Sequence, residues 1–382
     1  MSKKYSIFLT ALFCAFLGLM ATANALTPDR DFSQVENRTL AQRPALTVKA
    51  LASGDFMADY ERYVTDQFAG RDGWTAAKAY AEKLTGKQEN NGVYFCDDAT
   101  LISRFDAPDT KRLENNAKYV AQFAEKAGVP VAFGLIPTQA YVWADKLPAG
   151  APNYDQRQVY TDVSGALTGK VALADNLWST LPAHKEEPIF YRTDHHWTSL
   201  GAYYGYTGVM EALGRGDEII PLDSYNKETV STEFYGTVFS SSGVRWVKPD
   251  EMDIYVPDAG ITVTSHTYDG NGQPTTEPRQ LYDRSYLEKK DKYSMFLGGQ
   301  QPLGVVTTPN TDKPRLLLVR DSYSDSLVPF LTPHFSEIHL IDLRYYKLSV
   351  SQYIADNAID QAMVLYSVPN FVSDVNLVWL PR

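Results

Sequence analysis

Arg315-Leu316-Leu317-Leu318-Val319-Arg320-Asp321-Ser322-Tyr323-Ser324-Asp325-Ser326 is an apolar run that breaks off into polar residues, with a serine at the break. A short continuous apolar run of this kind has the look of a strand buried on both faces of a parallel sheet. The type recurs at Val131-Ala132-Phe133-Gly134-Leu135-Ile136, bounded by proline on both sides, at Ile338 to Leu343, and at Ala362 to Tyr366. Helical stretches stand between them. Asp109 to Ala127 places Leu113, Ala117, Val120 and Ala124 on one helix face, with Gly128 where a C-cap belongs. The alternation predicts an α/β domain with a mostly parallel sheet and helices on both faces. Ligands of such sheets bind beyond the carboxyl ends of the strands. Ser322 occupies that place, and a strand-to-helix turn there exposes its hydroxyl and offers backbone N–H groups, its own included, to a developing oxyanion.

The second chemical feature is Tyr191-Arg192-Thr193-Asp194-His195-His196-Trp197-Thr198, which sets an acid, two imidazoles and an indole side by side. Leu200, Tyr203, Tyr204, Val209 and Leu213 then predict a helix, so the cluster lies on a loop or turn that enters it. Serine is a weak nucleophile until an imidazole takes its proton, and a carboxylate must fix that imidazole's tautomer. This cluster supplies both groups. Two other readings stay open: a structural turn that caps the helix, and a metal shell built from Asp194, His195 and His196.

The string Asp194-His195-His196-Trp197 resembles the name-giving motif of the DHHW family, within the SGNH-hydrolase superfamily and similar to the alginate O-acetyltransferase-like proteins. Arg320-Asp321-Ser322 resembles the superfamily's Gly-Asp-Ser block. Glu36-Asn37-Arg38-Thr39-Leu40-Ala41, Asp66-Gln67-Phe68-Ala69-Gly70-Arg71 and Asn90-Asn91-Gly92-Val93-Tyr94 also look like that family, so the resemblance spans nearly the whole mature chain. It implies a three-layer α/β/α SGNH-hydrolase-like domain with Ser322 as nucleophile, His196 as base and Asp194 as orienting acid. His195 is then a neighbour of the base. Arg320 stands where glycine is usual, which touches the shape of the oxyanion pocket. Asn370 and Asn91 are equal candidates for a further polar group, Trp197 and Tyr323 for pocket walls or sugar-stacking groups, and Arg344 for substrate contact.

Residues 217–313 break the βα rhythm. They are rich in Thr, Ser, Gly, Pro and Asp, with short β-like pieces at Asp253 to Val256 and Ile261 to Val263 and a Gly270-Asn271-Gly272 turn. They read as an insertion of loops and small β structure capping the sheet. Before the domain at 86–382, residues 26–85 read as a helical arm, with Phe56, Tyr60, Tyr63, Val64 and Phe68 at helical spacing. Residues 1–25 read as a signal peptide: Lys3 and Lys4, an apolar run from Ile7 to Met20, and Ala23-Asn24-Ala25 as a small-x-small cleavage site. The competing reading is an uncleaved anchor.

Composition narrows the function. Hydrophobic residues make up 44% of the 382-residue chain, and there are 25 tyrosines, which suits a packed globular protein. The formal charge is −10, and −12 without residues 1–25, which argues against nucleic acid or an anionic membrane surface as partner. With only Cys14 and Cys96 present, loss of the signal segment removes any intramolecular disulfide, and a cysteine-type zinc site cannot be built. The expectation is an exported, periplasmic, extracellular or cell-surface serine esterase or O-acetyltransferase. It would act on a cell-envelope or secreted polysaccharide, need no cofactor, and work beside polysaccharide-assembly proteins. The rival expectation is an inactive glycan-binding or adaptor component, which Arg320 in place of glycine favours.

Overall fold

A computed structural model describes residues 3–257, 259–269 and 272–382. Gly270 and Asn271 of the expected turn lie outside the described residues. The chain divides into two compact units, one comprising the N-terminal part up to Asn91 with Ser240–Trp246, the other Gly92–Phe239 with Val247–Arg382.

The larger unit is built on an eight-stranded sheet: β1 Val131–Ile136, β2 Ala172–Leu173, β3 Thr262–Tyr268, β4 Pro274–Arg279, β5 Leu303–Thr307, β6 Arg315–Arg320, β7 Glu337–Ile341 and β8 Gln361–Ser367. Their spatial order is β4-β3-β5-β7-β6-β8-β1-β2. The five strands from β7 to β2 run parallel, and β5, β3 and β4 continue the sheet antiparallel. Leu316, Leu317, Leu318 and Val319 of β6 are all fully buried, so both faces of the strand demand apolar side chains. Each such burial is worth about 1.5–3 kcal/mol.

Helices cover both faces of the sheet. Asp109 caps Thr110–Lys126 by accepting from the Arg112 N–H, Leu113, Ala117 and Val120 enter the core, and Gly128 at φ +70° turns the chain away. Gln156–Leu167 and Val368–Ser373 pack with this helix; Leu177–Ala183 packs with Ser199–Ala212, and both reach β1. This is an SGNH-like three-layer architecture.

The insertion departs from its expected place. Its strands β3, β4 and β5 extend the sheet at its edge, because the open N–H and C=O groups of β7 pair with β5 and those of β5 with β3. The remaining pair, Asn226–Phe234 with Asp250–Val256, stands apart as an antiparallel ribbon. Its Phe234, Met252 and Ile254 join Tyr191, Tyr293, Met295 and Phe296 in a second, smaller core.

In the smaller unit, Thr47 caps Val48–Ser53, and Asp55–Asp66 and Arg71–Leu84 follow. Asp66 is the organising group: Arg38 donates to both its oxygens and the Ala41 N–H to one. Arg38 and Arg71 also both bond Glu36, so the two arginine-bearing strings close on each other. Arg38 holds the Asp66 carboxyl down to about 2. Trp246, from the returning segment, packs on Tyr80 under Lys83. Among the described residues, Lys3–Leu26 is the one helix long and apolar enough to cross a membrane.

Candidate active site

Phe190 and Trp197 pair as an isolated antiparallel bridge, which pinches residues 191–196 into a tight loop. The loop is held from three directions. Asp250 accepts from the Arg192 and Thr193 N–H groups and the Thr193 hydroxyl, Gln139 donates to the Asp194 and Tyr191 carbonyls, and Trp197 Nε1 donates to the Tyr323 carbonyl at 2.8 Å. Thr198 then caps Ser199–Ala212 by accepting from the Gly201 N–H.

On the sheet side, β6 ends at Arg320 and the chain turns into a short 3-10 segment, Ser322–Ser326, followed by a single helical turn at Val328–Leu331. The turn is tighter than the helix entry expected. Asp321 sets it up, with one carboxylate oxygen accepting from the Tyr323 N–H and the other from Ser367 N–H, Ser367 Oγ and Asn370 Nδ2.

Ser322, His196 and Asp194 meet in line. His196 Nε2 lies 2.8 Å from Ser322 Oγ, and His196 Nδ1 lies 2.6 Å from Asp194 Oδ1. An ionised carboxylate only accepts, so Nδ1 carries the proton and the neutral ring leaves Nε2 free to accept from the serine. Asp194 is almost fully buried. Burial alone would raise its carboxyl, but the two adjacent imidazoles, the His196 hydrogen bond and the Thr237 N–H hold it well below the usual carboxylate range.

Thr237 completes the acid. Its N–H and hydroxyl both donate to Asp194 Oδ2, at 2.7 and 2.9 Å. Its hydroxyl proton is thereby committed, so His195 Nδ1, 2.6 Å away, is the donor to Thr237 Oγ1. Desolvation and the neighbouring His196 ring bring His195 down to about 4, so this second imidazole stays neutral. Gly236 makes the approach possible: a Cβ there would stand 2.2 Å from Asp194 Cβ. The donor atoms of Asp194, His195 and His196 lie within 4.8 Å of one another, close enough to share an ion, but these atoms already bond one another, Thr237 and Ser322.

The insertion supplies Tyr293. Its ring stacks on His196, and its hydroxyl is 3.1 Å from both the Ser322 carbonyl, to which it donates, and Ser326 Oγ.

The remaining sequence candidates separate by burial. Trp197 and Tyr323 are buried and bond backbone, Tyr323 through its hydroxyl to the His195 carbonyl, so neither has a face open to stack on a sugar. Arg320 is also fully buried, with Nη1 2.8 Å from Asp325 Oδ1, close enough to pair though off the hydrogen-bond direction. Asp325 is therefore an interior partner, and burial pushes it up to about 7 against the pull of Arg320. Arg344 forks onto Asp342 with its side chain partly exposed. Asn370 is committed to Asp321, while Asn91 belongs to the smaller unit and donates to the Ser241 carbonyl. Gly236, Thr237, Asp250, Gln139 and Tyr293 carried no sequence signal of a site; each is an ordinary residue until the loop at 191–196 is closed.

The parallel sheet between its helical layers is an SGNH-like fold. Residues 153–341 match the family described as DHHW protein. It is similar to a DHHW family protein from Eubacterium siraeum, 28% identical over 76% of this chain and 95% of that one, with a TM-score of 0.64. Bacillus cereus PatB1, in a structure described as carrying a sulfonyl adduct, is 22% identical over 74% of this chain and 96% of its own, with a TM-score of 0.60. The O-acetyltransferase domain of Pseudomonas putida AlgJ is 16% identical over 76% and 98%, at a TM-score of 0.45. No curated protein matches the chain.

Proposed function

We propose that this chain is an exported, serine-dependent acyl-ester hydrolase or O-acetyltransferase that acts on a cell-envelope or secreted polysaccharide. The observation that carries the reading is the line from Ser322 Oγ through His196 to Asp194, with contacts of 2.8 and 2.6 Å. In this reading Ser322 Oγ attacks the ester carbonyl as His196 Nε2 takes its proton. The oxyanion is met by the Ser322 N–H, and the alkoxide leaves with the proton from His196. The acyl-serine then passes its acyl group to water or to a sugar hydroxyl, whose proton returns through the same ring. Asp194 keeps the ring in its working tautomer and stabilises its charged form.

Export rests on the helix Lys3–Leu26, which contains the two lysines, the apolar run and the small-x-small site of a signal sequence. Sulfonyl chemistry provides the test of the nucleophile, since a sulfonyl fluoride sulfonylates an activated serine hydroxyl. Full-length protein treated with phenylmethylsulfonyl fluoride should gain one adduct, mapped to Ser322 by peptide mass spectrometry, and lose turnover of 4-nitrophenyl acetate. An unmodified Ser322 in protein that turns the ester over would falsify the assignment.

A further inference from the structure

A cavity of about 240 Å³ opens beside the turn at Ser322, lined by Asp321, Arg344, Tyr366, Asn370, Asp374 and Val375 among others. It lies past the carboxyl ends of β6, β7 and β8, where ligands of open α/β sheets bind. Asp321, the residue before Ser322, forms part of its wall.

The polar groups on this wall are already oriented, and several have capacity to spare. Arg344 spends Nε and Nη2 on Asp342, leaving Nη1. Asp374 takes both Asn376 bonds on Oδ1, leaving Oδ2, and Asn370 donates to Asp321, leaving its carbonyl oxygen. The strongest sign of a missing ligand is Tyr366. Its side chain is 2% exposed and its hydroxyl has no hydrogen-bond partner among the described residues. Tyr366 is itself one of the residues that line the cavity. A buried hydroxyl left unpaired costs about 1–3 kcal/mol, so such groups await a partner.

Charge and size define the partner. The two lining carboxylates, Asp321 and Asp374, outnumber the one lining guanidinium, Arg344, a balance that disfavours an anion. Donors and acceptors are mixed, as hydroxyl groups require, and Val375 offers an exposed apolar side chain at the rim. The volume falls below the roughly 300–1,000 Å³ of drug-sized sites and suits one sugar ring. We propose that this cavity is a subsite for an uncharged sugar residue of the glycan, an inference that rests on the hydrolase or acetyltransferase reading of Ser322 and selects neutral over acidic polysaccharides.

Binding can be read without turnover. Full-length Ser322→Ala protein is titrated, by saturation-transfer NMR and calorimetry, with hexasaccharides of glucose, galactose, mannose and N-acetylglucosamine, and with hexagalacturonate and hexamannuronate. At least one neutral hexasaccharide should bind, the uronates should not, and Tyr366→Phe should weaken the neutral ligand about three- to tenfold. Since the hydroxyl supports nothing in the fold, Tyr366→Phe should keep or raise the melting temperature, which separates a binding role from a structural one. Failure of all four neutral glycans to bind, equal binding of a uronate, or an unchanged affinity in Tyr366→Phe overturns the subsite. The reading of Ser322 is judged apart from it, by turnover of 4-nitrophenyl acetate in wild-type and Ser322→Ala protein.

Discussion

The ring of Tyr293 lies flat on that of His196, with centroids 3.7 Å and planes 7° apart. One residue of the β-rich insertion thus fixes the imidazole that faces Ser322, and the same residue ties down the serine's own carbonyl. On the proposed mechanism, Tyr293→Phe keeps the stack and should lower kcat/KM for a small ester only a few-fold. Tyr293→Leu lets the ring tilt and should cost about 100-fold, the scale of a misplacement near 1 Å. Equal rates for Leu and Phe variants would remove Tyr293 from the positioning of His196.

Asp194→Asn tests the tautomer. The amide can donate to His196 Nδ1 and so force the proton onto Nε2, where it blocks acceptance from Ser322. A fall in kcat of about 10⁴ is expected with unchanged far-ultraviolet circular dichroism. A loss of less than tenfold would mean that Asp194 does not orient the base.

Gly236→Ala should act on the same carboxylate from the other side, since the new methyl group would meet Asp194 Cβ and Oδ2 at 2.2 and 2.3 Å. Backbone must shift, at about 1–3 kcal/mol, and turnover should fall with stability. Gly165→Ala is the control. It lies in helix Gln156–Leu167 with nothing within 4 Å of a Cβ, and should stabilise by about 0.5–1 kcal/mol. Urea unfolding of both variants decides the contrast.

Stability should respond to pH with opposite signs at two carboxyls. Asp66 is depressed to about 2 by Arg38, so its contribution is present above the unfolded value near 4 and is lost as pH falls toward 2. Asp325 is raised to about 7 by burial, so its contribution is present below about 4 and is lost as pH rises through 7. Denaturant titrations at successive pH values should show Asp66→Asn flattening the acid limb and Asp325→Asn the limb between pH 4 and 7. Arg320→Met removes the partner of Asp325 and should cost about 3–5 kcal/mol above pH 7, where the buried carboxylate is ionised. Wild-type slopes in both single carboxyl variants would contradict the assignment.

A chelator distinguishes the serine mechanism from a metal shell. Ester turnover by protein dialysed against EDTA should equal that of untreated protein, because the proposed proton path needs only Asp194, His196 and Ser322. Loss of activity restored by zinc would transfer Asp194 and His196 to metal ligation.

The parallel half of the sheet was legible because strands buried on both faces must be apolar throughout, and β1, β6, β7 and β8 announce themselves in that way. β4 could not be read: Pro274, Thr275, Thr276, Glu277, Pro278 and Arg279 contain no buried residue, and register with β3 alone makes them a strand. At the site, the serine after β6 and the acid and imidazoles at 194–196 were readable as a density of chemical groups. Their supports were not. Thr237, Gly236 and Tyr293 lie 40 to 97 positions from His196 in a segment of weak periodicity, and only tertiary contact gives them meaning. Arg320 was legible as a departure from glycine, but its burial against Asp325 depends on where the side chain turns after β6.

The composition of β4 has a further effect on how this molecule meets others. A long sheet ends in two rims whose unpaired amides could recruit a strand from a neighbouring copy, and crowded proteins aggregate along such rims. Here the outer strand on one side carries two prolines, which offer no N–H, with Glu277 and Arg279 among them. The strand at the opposite rim, β2, spans just two residues. Both ends of the sheet therefore resist the addition of a strand from a neighbouring copy.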